Sequence, residues 1–255
     1  EIHSNKNYRS LHAQSVFDKL LAILGDFIDY RIHLKKYDRT VVLTKEDKVV
    51  HWGKNTEVDV CVIPNPIISF GSKKASLINK KVIAVGRYMP QKGFDLLIDC
   101  WKIVSEKHPD WILSIYGDGM RQELQEQINR LGLQHQCRLE HSVSNITEKY
   151  LESSIFVLSS RYEGFGMVII EAMACGLPTV SFACPCGPKD IIKDGKDGFL
   201  VENSDIEQMA EKICHLIEHE DERKCMGKNA RLNVERFKIE NIGPQWEKLF
   251  EEVLK

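Results

Sequence analysis

Two glutamates with seven residues between them, Glu163 and Glu171, flank a segment whose groups could bind a phosphorylated ligand. Gly164 and Gly166 let the backbone approach a ligand closely, because glycine has no side chain. The segment follows an apolar strand pattern and opens a helix, whose free N–H groups and positive dipole end suit a diphosphate. Glu163 falls in the loop, and the Glu171 carboxylate can accept two hydrogen bonds from a ribose diol. The alternative is a glycine-rich helix start with two solvated glutamates.

A second segment, Gly86–Gly93, also follows a strand pattern and carries two positive charges. Arg87 can bind phosphate oxygens in a bidentate way, and Lys92 acts as a point charge. Together they would neutralise a diphosphate leaving group without a metal ion. The alternative is two surface cations near a turn, which is the commoner position of any single Arg or Lys. Their pairing with the glycine-rich helix start favours a diphosphate site.

Short β-branched runs alternate with amphipathic stretches from Val82 onward. This alternation predicts an α/β fold, a Rossmann-like doubly wound parallel sheet with helices on both faces. The predicted strands are Val82–Val85, Trp111–Tyr116, Cys137–His141, Ile155–Leu158, Thr179–Phe182 and Gly198–Val201. The predicted helices are Phe94–Val104, Gln122–Leu131, Asn145–Glu152, Met167–Ala174, Ile206–Ile217, Arg223–Val234 and Gly243–Leu254. Ligands of such sheets bind at the carboxyl ends of the strands, where both candidate segments lie.

The pattern of residues 1–65 differs from that of the rest of the chain. Only two strands, Thr40–Thr44 and Val58–Ile63, are predicted there, too few for an independent doubly wound sheet. We expect residues 1–65 to be the C-terminal part of a Rossmann-like domain whose beginning is absent. Residues 66–240 would form a second, complete Rossmann-like domain, and residues 241–255 a closing helix that crosses back toward the first.

Composition excludes several classes of function. The net charge of the 255 residues is only -2, which gives no electrostatic basis for nucleic-acid binding. No apolar run approaches the roughly 18 residues of a membrane span, and the first residues lack the apolar core of a signal peptide.

The even number of cysteines, eight, could indicate disulfides, but the enzyme-like pattern favours a reducing cytoplasm. Cys184-Pro185-Cys186 has no second ligand pair at zinc-site spacing, so a turn with two bystander thiols is predicted.

The motifs together resemble the retaining glycosyltransferases of family 4, which have the GT-B architecture of two Rossmann-like domains. The E-x7-E signature of that family matches Glu163 and Glu171. Further motifs match Gly86-Arg87 with Lys92-Gly93, Glu171–Val180 and Ile191–Val201, and the similarity extends from Thr40 to Leu249. Ser160–Glu163 and Cys184–Pro188 also resemble bacterial polysaccharide, O-antigen or amylovoran-type enzymes that transfer galactose or N-acetylgalactosamine.

The resemblance implies roles for individual residues. It implies a donor site formed by Arg87, Lys92, His141, Val143, Glu163, Gly164, Phe165, Gly166, Met167, Val168 and Glu171. Arg87 and Lys92 would hold the diphosphate and stabilise its developing charge. Glu163 would contact the sugar hydroxyls, Glu171 would hold the ribose, and the loop at His141 to Val143 would border the base. His3 matches a histidine that family members place near the sugar 6-hydroxyl, although a His beside a chain start usually has no such role.

The implied activity is transfer of a hexose or N-acetylhexosamine from a UDP-sugar to a glycan or lipid-linked acceptor, with retention of configuration. No cofactor or metal is expected, and the expected place is the cytoplasm, with a peripheral contact at the inner membrane face. Residues 66–240 would bind the donor, and the chain alone would transfer no sugar because its acceptor part is incomplete. The alternatives are a non-catalytic nucleotide-sugar-binding module and an NAD-binding oxidoreductase domain. The latter is disfavoured because no G-x-G-x-x-G loop follows the first strand.

Overall fold

The computed structural model describes residues 36–53, 58–67 and 71–255, which separate into two compact units. The larger unit contains residues 67–238, and the smaller combines the chain before residue 67 with residues 239–255. The sequence-based boundaries fall after residues 65 and 240. That each part is a domain with its own role remains a prediction.

The smaller unit contains, in its described part, two short parallel strands, β1 (Thr40–Val42) and β2 (Val60–Val62). Between them, the hydroxyl of Thr44 accepts a hydrogen bond of 3.0 Å from the amide of Asp47 and caps the short helix α1 (Lys45–Asp47). The chain continues from α1 as a π-helical turn over Lys48–Trp52.

The larger unit is built on a six-stranded parallel sheet, as the strand pattern predicts. Its strands are β3 (Lys81–Val85), β4 (Ile112–Tyr116), β5 (Cys137–Glu140), β6 (Ile155–Leu158), β7 (Thr179–Phe182) and β8 (Gly198–Val201). Their order across the sheet is β5-β4-β3-β6-β7-β8. Every residue of β6 and β7 is buried, which explains their apolar and β-branched sequences, because helices cover both faces of such a sheet.

The helices form two groups that flank this sheet. They are α2 (Phe94–Lys107), α3 (Arg121–Arg130), α4 (Ile146–Leu151), α5 (Met167–Ala174), α6 (Pro188–Ile191), α7 (Ile206–Glu218) and α8 (Glu220–Asn233), and the chain continues in the smaller unit with α9 (Ile239–Val253). Helix α2 packs on α3 and α7, whereas α5 packs on α4, α6 and α8. Leu97, Trp101 and Val104 recur at helical spacing in α2 and are fully buried. The prediction of an α/β doubly wound sheet is confirmed.

Helix α9 belongs to the smaller unit and begins at Ile239, four residues before the predicted start at Gly243. The predicted start was wrong because Pro244, which cannot donate a backbone hydrogen bond, lies inside this helix instead of in its first turn. Ile242 and Leu249 are buried in a cluster with Val41 and Ile63, on and beside the two short strands.

Glycines bring the carboxyl ends of the central strands unusually close to their neighbours. A Cβ atom on Gly117, after β4, would lie 1.9 Å from the carbonyl oxygen of Gly86, after β3. A Cβ atom on Gly93 would lie 2.1 Å from the carbonyl oxygen of Ser159, after β6. Gly93 also has a φ of 61°, in the left-handed region that favours glycine. The loops at this edge of the sheet therefore depend on residues without side chains.

Replacement of Gly93 by alanine tests this dependence, with Gly132→Ala as the matched control. Gly132 has a φ of 71° but open space around its Cβ position. Gly132→Ala should therefore lower the free energy of unfolding only by the left-handed strain of roughly 1–2 kcal/mol. Gly93→Ala adds a clash with a backbone carbonyl and should lower it further, toward about 3 kcal/mol or beyond. Urea unfolding measures both, and equal losses would contradict the close approach.

Candidate active site

Lys92 and Glu163 meet where the strand order of the sheet reverses. The chain runs from β3 outward through β4 to β5, then returns to β6 and runs the other way through β7 to β8. Strands β3 and β6 are neighbours, with Val82 opposite Ile155 and Ile83 opposite Phe156. The carboxyl ends of neighbouring strands at such a reversal are the place where doubly wound sheets bind ligands. Gly86–Gly93 and Ser159–Gly166 are the loops that follow these two strands.

Side chains fasten the two loops to each other. Arg161 donates from Nη1 to Asp95 Oδ1 at 2.8 Å and from Nη2 to Asp95 Oδ2 at 2.6 Å, which makes a bidentate pair. These hydrogen bonds lower the pKa of the Asp95 carboxyl and raise that of the Arg161 guanidinium. The Gln91 side chain donates to the carbonyl of Tyr162 at 2.9 Å, and the Ser159 hydroxyl donates to the carbonyl of Lys92 at 2.9 Å.

Lys92 and Glu163 face each other across this junction. Lys92 Nζ lies 2.7 Å from Glu163 Oε1, and the Ser160 hydroxyl donates to the same oxygen at 2.6 Å. The Glu163 residue is only 6% exposed, so the alternative of a solvated surface glutamate is wrong for it. An ammonium has three donors, and this pair occupies one, so Lys92 can still bind a phosphate oxygen.

Helix α5 begins beside this ion pair. Gly166, at a φ of 96°, ends the loop, and Met167 and Val168 form the start of the helix, where amide groups lack intrahelical partners. Phe165 is buried and packs edge-on against Phe237, with 5.5 Å between ring centroids, so the loop is anchored in the core. Gly164, between Glu163 and Phe165, is partly exposed.

Glu171 lies one turn further along α5, on the wall of a cavity of about 460 Å³. The cavity is also lined by Ile146, Thr147 and Leu151 of α4 and by Met167 at the start of α5. Burial raises the pKa of the Glu171 carboxyl, which is half-buried and lies 3.3 Å from the hydroxyl of Tyr150. The helix start and this carboxylate thus stand in the order in which a nucleotide presents its phosphates and its ribose.

The remaining predicted site residues are more exposed. Arg87 is exposed and forms no side-chain hydrogen bond or ion pair with the described residues. His141 Nδ1 lies 2.9 Å from Asp118 Oδ1, and Asp118 also accepts hydrogen bonds from Ser142, which joins the loops after β4 and β5. Val143 follows in the same exposed loop. His3 lies outside the described residues.

Four residues that position the side chains of the site were not predicted from the sequence. They are Asp95, Tyr150, Ser160 and Arg161. Ser160 has a local signal, since it stands three residues before Glu163. The Arg161–Asp95 pair joins residues 66 apart, and no local pattern indicates such a pairing.

Residues 70–233 match the protein family described as glycosyl transferases group 1. The chain belongs to this family. The matched range covers both loops of the junction and helix α5 with Glu171. Within the described residues, no helix has the length and apolar character needed to cross a membrane. All eight cysteines are free thiols in the structure.

Similar proteins include bacterial glycosyltransferases and their crystal structures. An uncharacterised glycosyltransferase of Haemophilus influenzae is 34% identical over 90% of this chain and 64% of that protein. The amylovoran biosynthesis glycosyltransferase AmsD of Erwinia amylovora is 35% identical over 82% of this chain and 61% of that protein. A variant of Staphylococcus aureus TarM, in complex with fondaparinux, α-GlcNAc-glycerol and UDP, superposes with a TM-score of 0.82 at 26% identity, over 93% of this chain and 49% of TarM. The chain thus spans about half to two thirds of the length of these relatives.

The buried ion pair predicts different costs for removing the two candidate phosphate-binding cations. Lys92→Ala should lower the free energy of unfolding by about 1–3 kcal/mol, because it leaves the buried Glu163 carboxylate with Ser160 as its partner. Arg87→Ala, the matched control, should change it by less than about 0.5 kcal/mol, because exposed residues contribute little. Chemical denaturation of both variants measures the difference, and the same stability for both would show that the ion pair does not form in solution.

Proposed function

We propose that this chain binds a UDP-sugar as part of a retaining glycosyltransferase that transfers a hexose or N-acetylhexosamine. The acceptor is a glycan or a lipid-linked saccharide in polysaccharide or glycoconjugate biosynthesis, which would bring the protein to the cytoplasmic membrane face. One observation carries this proposal. Lys92 is paired with Glu163 just before α5, and Met167 and Glu171 of α5 line one cavity, so phosphate-binding and ribose-binding groups follow one another along this helix.

The similarity to TarM supports a UDP-sugar as the donor and adds a further sugar to those that the donor could carry. The TarM complex contains UDP and α-GlcNAc-glycerol, and AmsD belongs to the biosynthesis of a bacterial polysaccharide. Galactose and N-acetylgalactosamine, favoured by the sequence motifs, therefore share the proposal with N-acetylglucosamine. An activity panel of UDP- and GDP-sugars with a lipid-linked acceptor, run on the longest form of the protein, tests the reaction. Binding of UDP-sugars without any transfer would favour the non-catalytic binding module.

The geometry suggests how the residues would divide the chemistry. Lys92 and Arg87, with the amides at the start of α5, would stabilise the negative charge that develops on the leaving diphosphate. Glu163, held by Lys92 and Ser160, would accept hydrogen bonds from the sugar hydroxyls near the reacting carbon. Glu171 would accept hydrogen bonds from the ribose diol. Glu163 and Glu171 would thus serve binding, and the retention that we propose would follow a front-face route in which the leaving phosphate helps to deprotonate the acceptor.

We expect UDP to bind without a metal ion because two cations, Lys92 and Arg87, stand beside the proposed diphosphate site. Because Lys92 and Arg87 would neutralise the diphosphate, UDP should bind with the same affinity in the presence and absence of EDTA. Isothermal titration calorimetry measures this, with GDP as the control nucleotide for base selectivity. Complete loss of UDP binding in EDTA would contradict the proposed role of the cations.

The two glutamates should contribute differently to the binding of UDP, which has a ribose but no hexose. Glu171→Ala should weaken UDP binding by about 1.5–3 kcal/mol, the range for hydrogen bonds to a charged group. Glu163→Ala should affect UDP less than it affects a UDP-sugar. If both variants bind UDP like the unmodified chain, the assignment of Glu171 to the ribose is wrong.

A further inference from the structure

Tyr150 contacts the carboxylate of Glu171, the group that we assign to the ribose. It belongs to α4, the helix that lines the cavity opposite α5, and it is fully buried. Its ring packs edge-on against Phe156, with 6.0 Å between the centroids. Its hydroxyl lies 3.3 Å from Glu171 Oε2. A buried tyrosine hydroxyl needs a hydrogen-bond partner, and here that partner is a carboxylate on the cavity wall.

Glu171 forms no other side-chain hydrogen bond or ion pair with the described residues. Tyr150 must donate in this contact, because an ionised carboxylate only accepts. The Oε2 atom retains a second lone pair and Oε1 retains both, which suffices for the two hydroxyls of a ribose diol. The single internal contact of this carboxylate thus leaves its capacity for a ligand intact.

We propose that Tyr150 is a positioning residue for nucleotide binding, which holds Glu171 in the orientation that accepts the ribose hydroxyls. This inference rests on the proposed function and names one more residue for the same site. A free glutamate side chain samples several rotamers, and ordering it when the ligand binds costs affinity. The buried hydroxyl of Tyr150 orders it beforehand, since the packing against Phe156 fixes the ring.

Tyr150 also affects the protonation of Glu171. Burial raises the pKa of Glu171, and the hydrogen bond from Tyr150 opposes that rise. Without this hydroxyl the pKa should rise further, so the carboxylate becomes protonated and loses acceptor capacity at a higher pH. The other titratable side chains on the cavity wall are Lys73, Glu148 and Cys175. They are unchanged by a substitution at Tyr150, so a comparison with the unmodified chain isolates the effect on Glu171.

The test compares UDP with 2′-deoxy-UDP in Tyr150→Phe, which keeps the ring and removes the hydroxyl. The unmodified chain should prefer UDP, because the deoxy compound lacks one of the two ribose hydroxyls. Tyr150→Phe should reduce that preference about tenfold and shift the acid loss of UDP affinity to higher pH. Tyr116→Phe is the matched control, because Tyr116 is also a buried tyrosine, whereas the hydrogen bond to the Glu171 side chain comes from Tyr150. In a Glu171→Ala background, Tyr150→Phe should have no further effect.

The outcomes distinguish a failure of the proposed function from a failure of the role proposed for Tyr150. If the unmodified chain binds no UDP, the proposed function falls and this inference falls with it. If it binds UDP, Glu171→Ala weakens the binding, and Tyr150→Phe leaves both the preference and the pH profile unchanged, only the inference is overturned. Misfolding of Tyr150→Phe would lower the fraction of active molecules for both nucleotides equally. The ratio of the two affinities in the folded fraction would still report on Glu171.

Discussion

The bidentate pair between Arg161 and Asp95 is the interaction on which the arrangement of the candidate site depends. It joins the loop after β6 to the first turn of α2, and the 3-10 turn Pro90–Lys92 stands just before that helix. Both side chains are partly exposed, so the pair contributes little free energy of its own. Its importance is geometric. It holds the loop that carries Lys92 against the loop that carries Glu163, with help from Gln91 and Ser159.

This junction also determines the charge that an incoming ligand meets. Lys92 is matched by the buried Glu163, whereas Arg87 has no acidic partner among the described residues. A diphosphate would therefore meet Arg87, the positive end of α5 and the remaining donors of Lys92, with Glu163 still neutralised. Glu163, which we propose binds the sugar, and Lys92, which we propose binds the phosphate, form one ion pair, so substituting either residue should disturb the other.

Much of the fold could be predicted from sequence because its signals are local. The apolar strand patterns, the glycines of the two candidate segments and the glutamate spacing all lie within short segments, and the structure contains the predicted six strands. The pairs that organise the site are not local. Arg161–Asp95 and Tyr150–Glu171 join residues 66 and 21 positions apart, so only the strand order brings them together. The early start of α9 escaped prediction because Gly243 and Pro244 look like a helix boundary, although Ile242 packs on the short strands. The roles of the site residues, His3 included, stay predictions.

The central claim is that the loops after β3 and β6 and helix α5 bind a nucleoside diphosphate. A crystal structure of this chain with UDP tests it most directly. The account predicts the β-phosphate within hydrogen-bond distance of Lys92 and the Met167 amide, and the ribose hydroxyls within the same distance of the Glu171 carboxylate. UDP bound with its ribose away from Glu171, or with its phosphates away from the start of α5, would contradict the account.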